Sequence, residues 1–505
     1  MDASTTTARS GTTWHRRRRV HSSSIARRSS RTATPSARGP RWRRARSKSP
    51  LWRRFRRRTP RRRRRERWGM VVRNALLKSV SLDCIGADGN VTPDPFARLS
   101  ARGKARRPHS ERSRLSQSFL RFVRRCFAAV GVVLAWPLVA APGVTDEAIA
   151  FGQSAGFTGP NQRLGIEYRS GLLAAFEERN AAGGVDGRRL ELIALDDAYE
   201  PASAAANAER FASENNVLAV AGGVGTPTAA RIAPVLRTAG IPFIGHVTGA
   251  DFLHDSKRFP NVINVRASYF DEVQFLVDHI VSDHHGGRRL GIIYQDDAFG
   301  RSVMRSYLAA LAEHDIPLLA KTTYSRNTHA VHASLFGLAK ADLDAVLLVG
   351  TYSANAQIIN LARSLGHDYT MANLSFSLSY ELRRRVEELS EQILVTEVVP
   401  SPLDQTSALA GAFRRAMATH ARAEEALSEV ALEGYLLGRY LVSTLERMDG
   451  DLTRAAFMAQ AMPAGPVLID DWPVAFPPGS NSGSTYVRLT HLAPDSDFGV
   501  TRSGP

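Results

Sequence analysis

A glycine-rich turn that carries hydroxyl side chains is the segment of this sequence best suited to bind a ligand. Residues 222–228 (GGVGTPT) stand between an apolar run that predicts a strand and an amphipathic segment that predicts a helix. Glycine lets the backbone approach a ligand closely, and Thr226 and Pro227 suit the first positions of a helix. The free N–H groups and the positive dipole end of that helix favour a carboxylate or another anion. An ordinary capped turn is the alternative, because the segment matches neither the P-loop nor the dinucleotide-binding spacing.

A second hydroxyl follows the next predicted strand, where Thr248 and Gly249 stand. Because neighbouring parallel strands end at the same edge of a sheet, we expect Thr226 and Thr248 to lie together. Two hydroxyls and several backbone N–H groups can orient a carboxylate without a cationic side chain. Local capping by each hydroxyl is the alternative interpretation.

Two aromatic residues follow strands of a second series of alternating strands and helices. Phe299 comes after the apolar run 290–294, and Tyr352 comes after the run 345–349. Both rings could close over a ligand from an opposite lobe, and packing at the edge of the core is the alternative.

Two pairs of adjacent carboxylates, at 196–197 and 296–297, invite a general acid and base interpretation. Both pairs end predicted strands just before turns, where aspartate caps backbone groups, and adjacent side chains point apart. The sequence also contains no Ser-His-Asp signature. We therefore predict a protein that is not an enzyme, with no catalytic residue and no cofactor.

A histidine-rich segment at the end of a predicted helix offers the best metal-binding pattern. His279, Asp283, His284 and His285 include one pair spaced i,i+4, but no further ligand is evident. A solvated helix end is the favoured interpretation, and we predict no metal site.

Apolar runs alternate with amphipathic segments from residue 148 onward, and this alternation sets the fold class. The first series has predicted strands at 148–152, 190–195, 217–221 and 241–245, and the second at 262–265, 290–294, 345–349 and 393–398. Helices of 3.6-residue period fill most of the intervals, with glycine or proline at the turns. The sequence therefore predicts an α/β protein with two doubly wound lobes, and ligands in such sheets bind beyond the carboxyl ends of the strands.

The positive charge of the chain is concentrated near its beginning. The 505 residues carry a formal net charge of +19, yet residues after 141 contain more acidic than basic side chains. An acidic body does not suit nucleic-acid binding, which needs a basic face, so no nucleic-acid partner is expected. We predict that residues 1–111 are disordered or are translated from upstream of the true start codon. A nucleic-acid-binding tail is the alternative.

Residues 112–141 have the order of a secretory signal peptide. Five arginines precede the apolar run 127–139 (FAAVGVVLAWPLV), and small residues at 139–141 suit a cleavage site. A membrane anchor or a buried helix is the alternative. The two cysteines, Cys84 and Cys126, lie before residue 141, so the mature body is predicted to have no disulfide.

Several segments together resemble the branched-chain amino-acid binding family, the type I periplasmic solute-binding proteins of ABC transporters. They include Thr158-Gly159-Pro160 and the segments 180–188 (NAAGGVDGR), 196–201 (DDAYEP), 292–300 (IIYQDDAFG) and 362–366 (ARSLG). The resemblance extends over about residues 148–492. It implies two Rossmann-like lobes with a ligand cleft between them, joined by three crossovers near Arg266, Pro400 and Pro466. We expect residues 142–265 and 401–465 to form lobe 1, residues 266–400 and 466–497 to form lobe 2, and residues 498–505 to be a tail.

The resemblance also implies which residues bind the ligand. Its carboxylate-binding hydroxyl falls on Thr226, the loop after the fourth strand falls on Thr248 and Gly249, and the second-lobe aromatics fall on Phe299 and Tyr352. The acidic residue for a ligand ammonium should lie near 377–381 (SLSYE), where Tyr380 or Glu381 is the nearest candidate. Because the local sequence does not place that residue, a carboxylate without an amino group is a rival to an amino acid.

The function implied by this resemblance is capture of a small solute. We expect an exported, monomeric periplasmic protein that binds a polar or carboxylate solute, such as an amino acid, and delivers it to the membrane permease of an ABC transporter. The alternative is a periplasmic sensory module that signals to a membrane kinase or cyclase through the same cleft, because one fold serves both roles.

Overall fold

The computed structural model describes residues 141–283, 287–421 and 426–494. The predictions for residues 1–111, for the signal peptide up to residue 140 and for the tail at 498–505 lie outside these residues. His284 and His285 of the histidine-rich segment lie outside them as well.

The first lobe is built on a five-stranded sheet whose neighbouring strands are all parallel. Its strand order is β2-β1-β3-β4-β5. The strands are β1 Ala148–Ala155, β2 Arg189–Asp196, β3 Ala219–Ala221, β4 Phe243–Ile244 and β5 Val262–Ile263. The helices between them are α1 Gln162–Ala181, α2 Pro201–Glu214 and α3 Thr226–Thr238. Because the strands are parallel, the segments that follow β3 and β4 meet at one edge of the sheet.

The second lobe is built on a six-stranded sheet of order β13-β10-β9-β8-β6-β7. Its strands are β6 Leu290–Gln295, β7 Leu318–Tyr324, β8 Ala345–Val349, β9 Thr370–Asn373, β10 Ser390–Glu397 and β13 Arg488–Leu492. Its helices are α4 Tyr269–Asp283, α5 Ala298–Glu313, α6 His332–Leu338, α7 Tyr352–Ser364 and α8 Ser379–Arg383. All five residues of β8 are buried, as expected for an apolar strand that is covered on both faces. Only β13 runs antiparallel to its neighbour among the described strands of this sheet.

The chain returns to the first lobe after β10. The remaining helices are α9 Ala408–His420, α10 Glu429–Glu446 and α11 Arg454–Ala461. Helices α9 and α10 pack on α1, and the approach is so close that a Cβ on Gly434 would lie 2.1 Å from the carbonyl oxygen of Tyr168. Helix α11 reaches the first sheet through Phe457, whose ring centroid lies 6.1 Å from that of Phe151.

A short antiparallel hairpin precedes the last strand. It consists of β11 Val467–Ile469 and β12 Trp472–Val474 and lies against α10, where Arg439 pairs with Asp470 at 3.4 Å. The chain then passes to β13 in the second sheet. It therefore connects the lobes three times, through residues 264–268, 398–407 and 475–487.

No helix in the described part of the chain combines the length and the hydropathy that a membrane span requires.

Candidate ligand-binding site

Helix α3 begins at Thr226 because the preceding residue can be only glycine. Gly225 has φ 103° and ψ 145°, a backbone conformation reserved for glycine, and a Cβ there would lie 2.2 Å from Cε2 of Tyr199. The first intrahelical hydrogen bond runs from the N–H of Ala229 to the carbonyl of Gly225 at 3.0 Å. The N–H groups of Thr226 and Thr228 therefore precede the helical ladder and lie at a buried, electropositive helix end.

Three hydroxyls meet at this helix end, and we call them the hydroxyl cluster. The Oγ1 atoms of Thr226 and Thr248 lie 2.7 Å apart, and each is 3.2 Å from the hydroxyl oxygen of Tyr269. All three side chains are fully buried. The two threonines follow β3 and β4 of the first lobe, whereas Tyr269 opens α4 of the second lobe. The hydroxyl cluster therefore joins groups from both lobes.

Gly249 permits this approach of the second lobe. Its carbonyl accepts a hydrogen bond from the N–H of Tyr269 at 2.8 Å, and a Cβ at this position would lie 2.4 Å from that nitrogen. A larger residue would push the start of α4 away from the hydroxyl cluster.

His246 supports the turn that leads into α3. Its Nε2 lies 2.8 Å from the carbonyl oxygen of Gly225, and burial lowers the pKa of the imidazole to about 4. The ring is therefore neutral near pH 7, and Nε2 carries the proton that it donates to this acceptor. The imidazole thus holds the carbonyl of Gly225 at the start of α3.

Four buried aromatic rings extend from the hydroxyl cluster, and we call them the aromatic cluster. The ring centroid of Phe299 lies 5.3 Å from that of Tyr269 and 4.7 Å from that of Phe376, and Phe376 lies 6.1 Å from Tyr199. Tyr199 belongs to the first lobe and the other three rings to the second. These separations are those of favourable aromatic pairs, so the cluster offers apolar ring faces beside the hydroxyls.

Tyr199 adopts a backbone conformation that non-glycine residues rarely occupy. Its φ is 61°, and its N–H donates to Asp197 Oδ1 at 2.8 Å. Burial raises the pKa of Asp197 to about 6. Such local strain is common at ligand sites, where the surrounding structure holds a side chain in a required position.

A second set of contacts joins the lobes at the rim of the site. Arg326, which follows β7, donates to the carbonyl of Tyr199 at 2.8 Å and to the carboxylate of Glu200 at 2.7 Å. Asn327 donates to the same carboxylate at 2.7 Å and accepts from Asn161 at 2.9 Å. The guanidinium of Arg326 lowers the pKa of Glu200. These contacts link the two lobes at the rim of the site.

The aspartates after β6 cap a helix. Asp297 accepts hydrogen bonds from the N–H groups of Phe299 and Gly300 at 2.9 and 3.3 Å, and it thereby caps α5. Burial raises its pKa. This is the capping role that the sequence favours over catalysis, and it places Phe299 at the first turn of α5.

Tyr352 and Tyr380 have contacts other than those of the hydroxyl cluster. The hydroxyl of Tyr352 donates to the carbonyl of Pro160 in the first lobe at 2.8 Å, and the guanidinium of Arg385 lies 4.8 Å from its ring. Tyr380 lies in α8, where the guanidinium of Arg384 is 5.6 Å from its ring. The structure therefore brings together Thr226, Thr248, Gly249 and Phe299, but it directs Tyr352 to the loop at Pro160, and the ring beside Phe299 is that of Phe376.

Three residues of the two clusters were not predicted as site residues. Tyr199 stands in the segment 196–201, which carries the family resemblance, so its position in a motif was an available signal. Tyr269 stands three residues after Arg266, near which the first crossover was predicted. Phe376 follows β9, a strand of four residues that the apolar pattern does not reveal.

The described residues contain no group of three or more His, Cys, Asp or Glu side chains placed to hold a metal ion. The ring of His279 instead lies 6.0 Å from that of His491 in an edge-to-face arrangement.

Comparison with known proteins agrees with this architecture. The family model described as "Periplasmic binding protein" matches residues 148–480, which include both clusters. The Leu/Ile/Val-binding protein homolog 7 of Brucella abortus (strain 2308) is 28% identical over 235 residues, which is 45% of this chain. The alignment covers 58% of the length of that curated relative.

Solved structures match over a larger part of the fold. A possible leucine/isoleucine/valine-binding protein from Rhodopirellula baltica SH 1 is 34% identical, with a TM-score of 0.66, and the match covers 71% of this chain and 97% of that one. A substrate-binding periplasmic protein from Ralstonia solanacearum is 26% identical, with a TM-score of 0.65, and the match covers 69% and 99% of the two chains. With its two Rossmann-like lobes and the match over 148–480, this chain belongs to the periplasmic binding protein family, as a type I member.

Proposed function

We propose that this chain captures one small solute through a carboxylate group between its lobes and delivers it, as a monomer in the periplasm, to the membrane permease of an ABC transporter. The observation that carries the proposal is the hydroxyl cluster, in which two threonines of one lobe and a tyrosine of the other meet within 3.2 Å. A group bound at this point contacts both lobes at once.

The chemistry of the hydroxyl cluster favours a carboxylate. Thr226 and Thr248 supply hydroxyl donors, and the start of α3 adds backbone N–H groups and a positive dipole end. The hydroxyl cluster is fully buried, so hydrogen bonds made there are shielded from water. A carboxylate has two oxygens and can accept from several of these donors together.

Closure of the lobes would convert binding into a signal for a membrane partner. Arg326 and Asn327 contact Glu200 across the rim, and Arg305 of α5 pairs with Asp251 of the first lobe at 2.8 Å. Such partly exposed ion pairs contribute roughly 0.2–1 kcal/mol each, too little to hold the lobes closed alone. The solute would add the remaining free energy of closure, since a ligand shifts the population toward the state that it binds better.

The proposal keeps most of the predicted lobe division. Lobe 1 takes residues 142–265 and 401–465, and lobe 2 takes residues 266–400 and the segment that includes β13, with the first two hinges near Arg266 and Pro400. The first two positions fall in segments that connect the two sheets. The third hinge, predicted near Pro466, is assigned to residues 475–487 instead, because the hairpin β11–β12 packs on α10.

The binding step is tested by a thermal-shift screen with amino acids, aromatic acids, amides and dicarboxylates, followed by calorimetric titration. Thr226→Val removes one hydroxyl at nearly constant volume, and we expect it to weaken a carboxylate solute about tenfold, because a hydrogen bond to a charged group is worth roughly 1.5–3 kcal/mol. Thr238→Val, at the other end of α3, is the matched control, since Thr238 bonds only the carbonyl of Pro234 within its own helix. An unchanged dissociation constant in Thr226→Val would contradict the assigned site.

Transport and sensing share this binding step and differ in the membrane partner. Uptake of the identified solute by proteoliposomes that contain the candidate permease and its ATPases would support transport, provided that uptake depends on this chain. Mass spectrometry of the mature protein tests export, with an expected N-terminus near Pro142. An N-terminus upstream of residue 61 would contradict the predicted absence of residues 1–111 from the mature protein.

A further inference from the structure

Three buried carboxylates of the second lobe each have an arginine close by. Glu272 of α4 accepts from the N–H and the hydroxyl of Ser375 at 2.9 and 3.0 Å and from the hydroxyl of Thr396 at 2.5 Å. Arg266 lies 3.5 Å from Oε1, the oxygen that also accepts from the hydroxyl of Ser375. Both oxygens of Glu272 are thus engaged, and the buried guanidinium beside it also lies 3.5 Å from Glu433.

The carboxylates on the neighbouring second-lobe elements follow the same rule. Asp297 accepts from two N–H groups of α5 and from the side chain of Gln295 at 2.5 Å, and Arg326 lies 3.9 Å away. Glu381 of α8 pairs with Arg163 and Arg384, each at 3.5 Å, and also with Arg385. Neither carboxylate is available to balance a further cation.

Two buried carboxylates of the described part of the first lobe are engaged as well. Glu433 of α10 lies 3.5 Å from Arg266, and burial raises its pKa, which favours the neutral form. Asp197 is buried at the end of β2, where it accepts from the hydroxyl of Ser154 and the N–H of Tyr199, both at 2.8 Å. Strand β1 separates β2 from β3, whose carboxyl end leads to Thr226. Asp197, at the end of β2, is therefore separated from Thr226 and Thr248, which follow β3 and β4, by the end of β1.

These contacts limit what the site can bind. An ammonium group that enters a fully buried site without a partner carboxylate loses its hydration, at a cost of several kcal/mol. A carboxylate finds three hydroxyl donors and a helix end at the same place. The aromatic cluster, with its ring faces beside these donors, suits an apolar or aromatic remainder of the ligand.

We propose that the site selects an apolar or aromatic carboxylic acid that carries no ammonium group, and that Tyr269 determines this specificity. This inference rests on the proposed capture of a carboxylate. Tyr269 supplies a hydroxyl from the second lobe, so the carboxylate is held by donors of both lobes. It also occupies the space beside both threonines, where an ammonium would need an anionic acceptor.

Calorimetric titration of the full chain with two matched pairs of compounds tests the selectivity. The pairs are 3-phenylpropanoate with L-phenylalanine, and 4-methylpentanoate with L-leucine, and the members of each pair differ only in the α-amino group. We expect at least one acid to bind, with a dissociation constant at least tenfold below that of its amino acid. An amino acid that binds as tightly as its matched acid would overturn the inference while leaving the proposed capture of a carboxylate intact.

The result for all four compounds together separates the two proposals. If neither acid binds and the wider screen yields only an amino acid, an amide or a dicarboxylate, the inference about the ligand class is wrong. If no solute of the screen binds at all, the proposed function itself fails.

The role of Tyr269 is tested with Tyr269→Phe, which removes only the hydroxyl. We expect about tenfold weaker binding of the acid, while Tyr307→Phe, a matched change at a buried tyrosine of α5 that bonds the carbonyl of Gly291 at 3.4 Å, leaves binding unchanged. Equal affinities of Tyr269→Phe and the wild type would overturn the assignment. If Tyr269→Phe unfolds more readily than the control, Thr248→Val removes the same hydrogen bond from the first-lobe side and is judged by the same criterion.

Discussion

Gly225 is the residue at which backbone conformation, packing and ligand binding depend most directly on one another. Alanine at this position would have to adopt φ 103° and ψ 145°, and its Cβ would lie 2.2 Å from Cε2 and 3.0 Å from Cδ2 of Tyr199. We expect Gly225→Ala to destabilise the first lobe and to displace the start of α3.

The magnitude follows from two separate costs. A non-glycine residue in this region of backbone space costs roughly 1–3 kcal/mol, and overpacking a well-filled core costs roughly 1–3 kcal/mol more. The free energy of unfolding should therefore fall by about 2–6 kcal/mol. Because Thr226 follows directly and Tyr199 belongs to the aromatic cluster, the affinity for the solute should fall as well.

The matched control is Gly240→Ala. Gly240 also has a positive φ, 63°, but a Cβ there would meet no atom within 4 Å. It therefore carries the conformational cost alone, about 1–2 kcal/mol. Urea unfolding of both variants without ligand, followed by titration with the solute, separates strain from collision. If Gly225→Ala is no less stable than Gly240→Ala and binds the solute with the wild-type dissociation constant, the packing of Tyr199 against Gly225 does not position the start of α3 for binding.

Three further perturbations test other parts of the structure. Glu200→Gln weakens the rim contact to Arg326, and we expect a two- to fivefold higher dissociation constant for the solute, mainly through faster release. Glu214→Gln is the control, because Glu214 pairs with Arg210 inside α2. Equal release rates in the two variants would contradict a role of the rim contact in retaining the solute. The pKa of His246 is about 4 in the folded protein, below its ordinary value of 6.5, so protonation of His246 destabilises the fold as the pH falls from 6.5 toward 4, by up to roughly 3 kcal/mol. This loss of unfolding free energy should be absent in His246→Gln. If the unfolding free energies of the variant and the wild type fall in parallel over this pH range, the burial of a neutral His246 is refuted. Arg266→Leu leaves the buried Glu272 and Glu433, each 3.5 Å from Arg266, without their cation. We therefore expect the free energy of unfolding in urea to fall by about 3–5 kcal/mol, far more than in Arg305→Leu, which removes an exposed arginine. A loss no larger than that of Arg305→Leu would contradict this account.

Much of the fold could be predicted because parallel sheets leave a strong sequence pattern. Central strands such as β8 are covered on both faces and read as continuous apolar runs, and the predicted strand at 345–349 has the same bounds as β8. Strands at the margins leave a weaker pattern. Strand β7, at the sheet edge, alternates between half-buried and exposed residues up to the buried Tyr324, and β9 is short, so neither was predicted.

The site could be predicted only as far as chain direction determines it. Because Thr226 and Thr248 follow neighbouring parallel strands, their Oγ1 atoms lie 2.7 Å apart, as the order of the strands along the chain predicted. The position of an aromatic ring depends on which neighbouring side chains fill the same space, and this is not encoded by spacing. Tyr352 therefore contacts Pro160, while Phe376, from a turn after an unpredicted strand, packs beside Phe299.

The central claim is that a solute carboxylate is held at the hydroxyl cluster between closed lobes. A crystal structure of the full chain with the tightest solute of the screen tests it most directly. We predict carboxylate oxygens within about 3.2 Å of the hydroxyls of Thr226 and Thr248, with Tyr269 donating from the second lobe. A solute bound elsewhere, or one whose carboxylate points away from Thr226, would contradict the account.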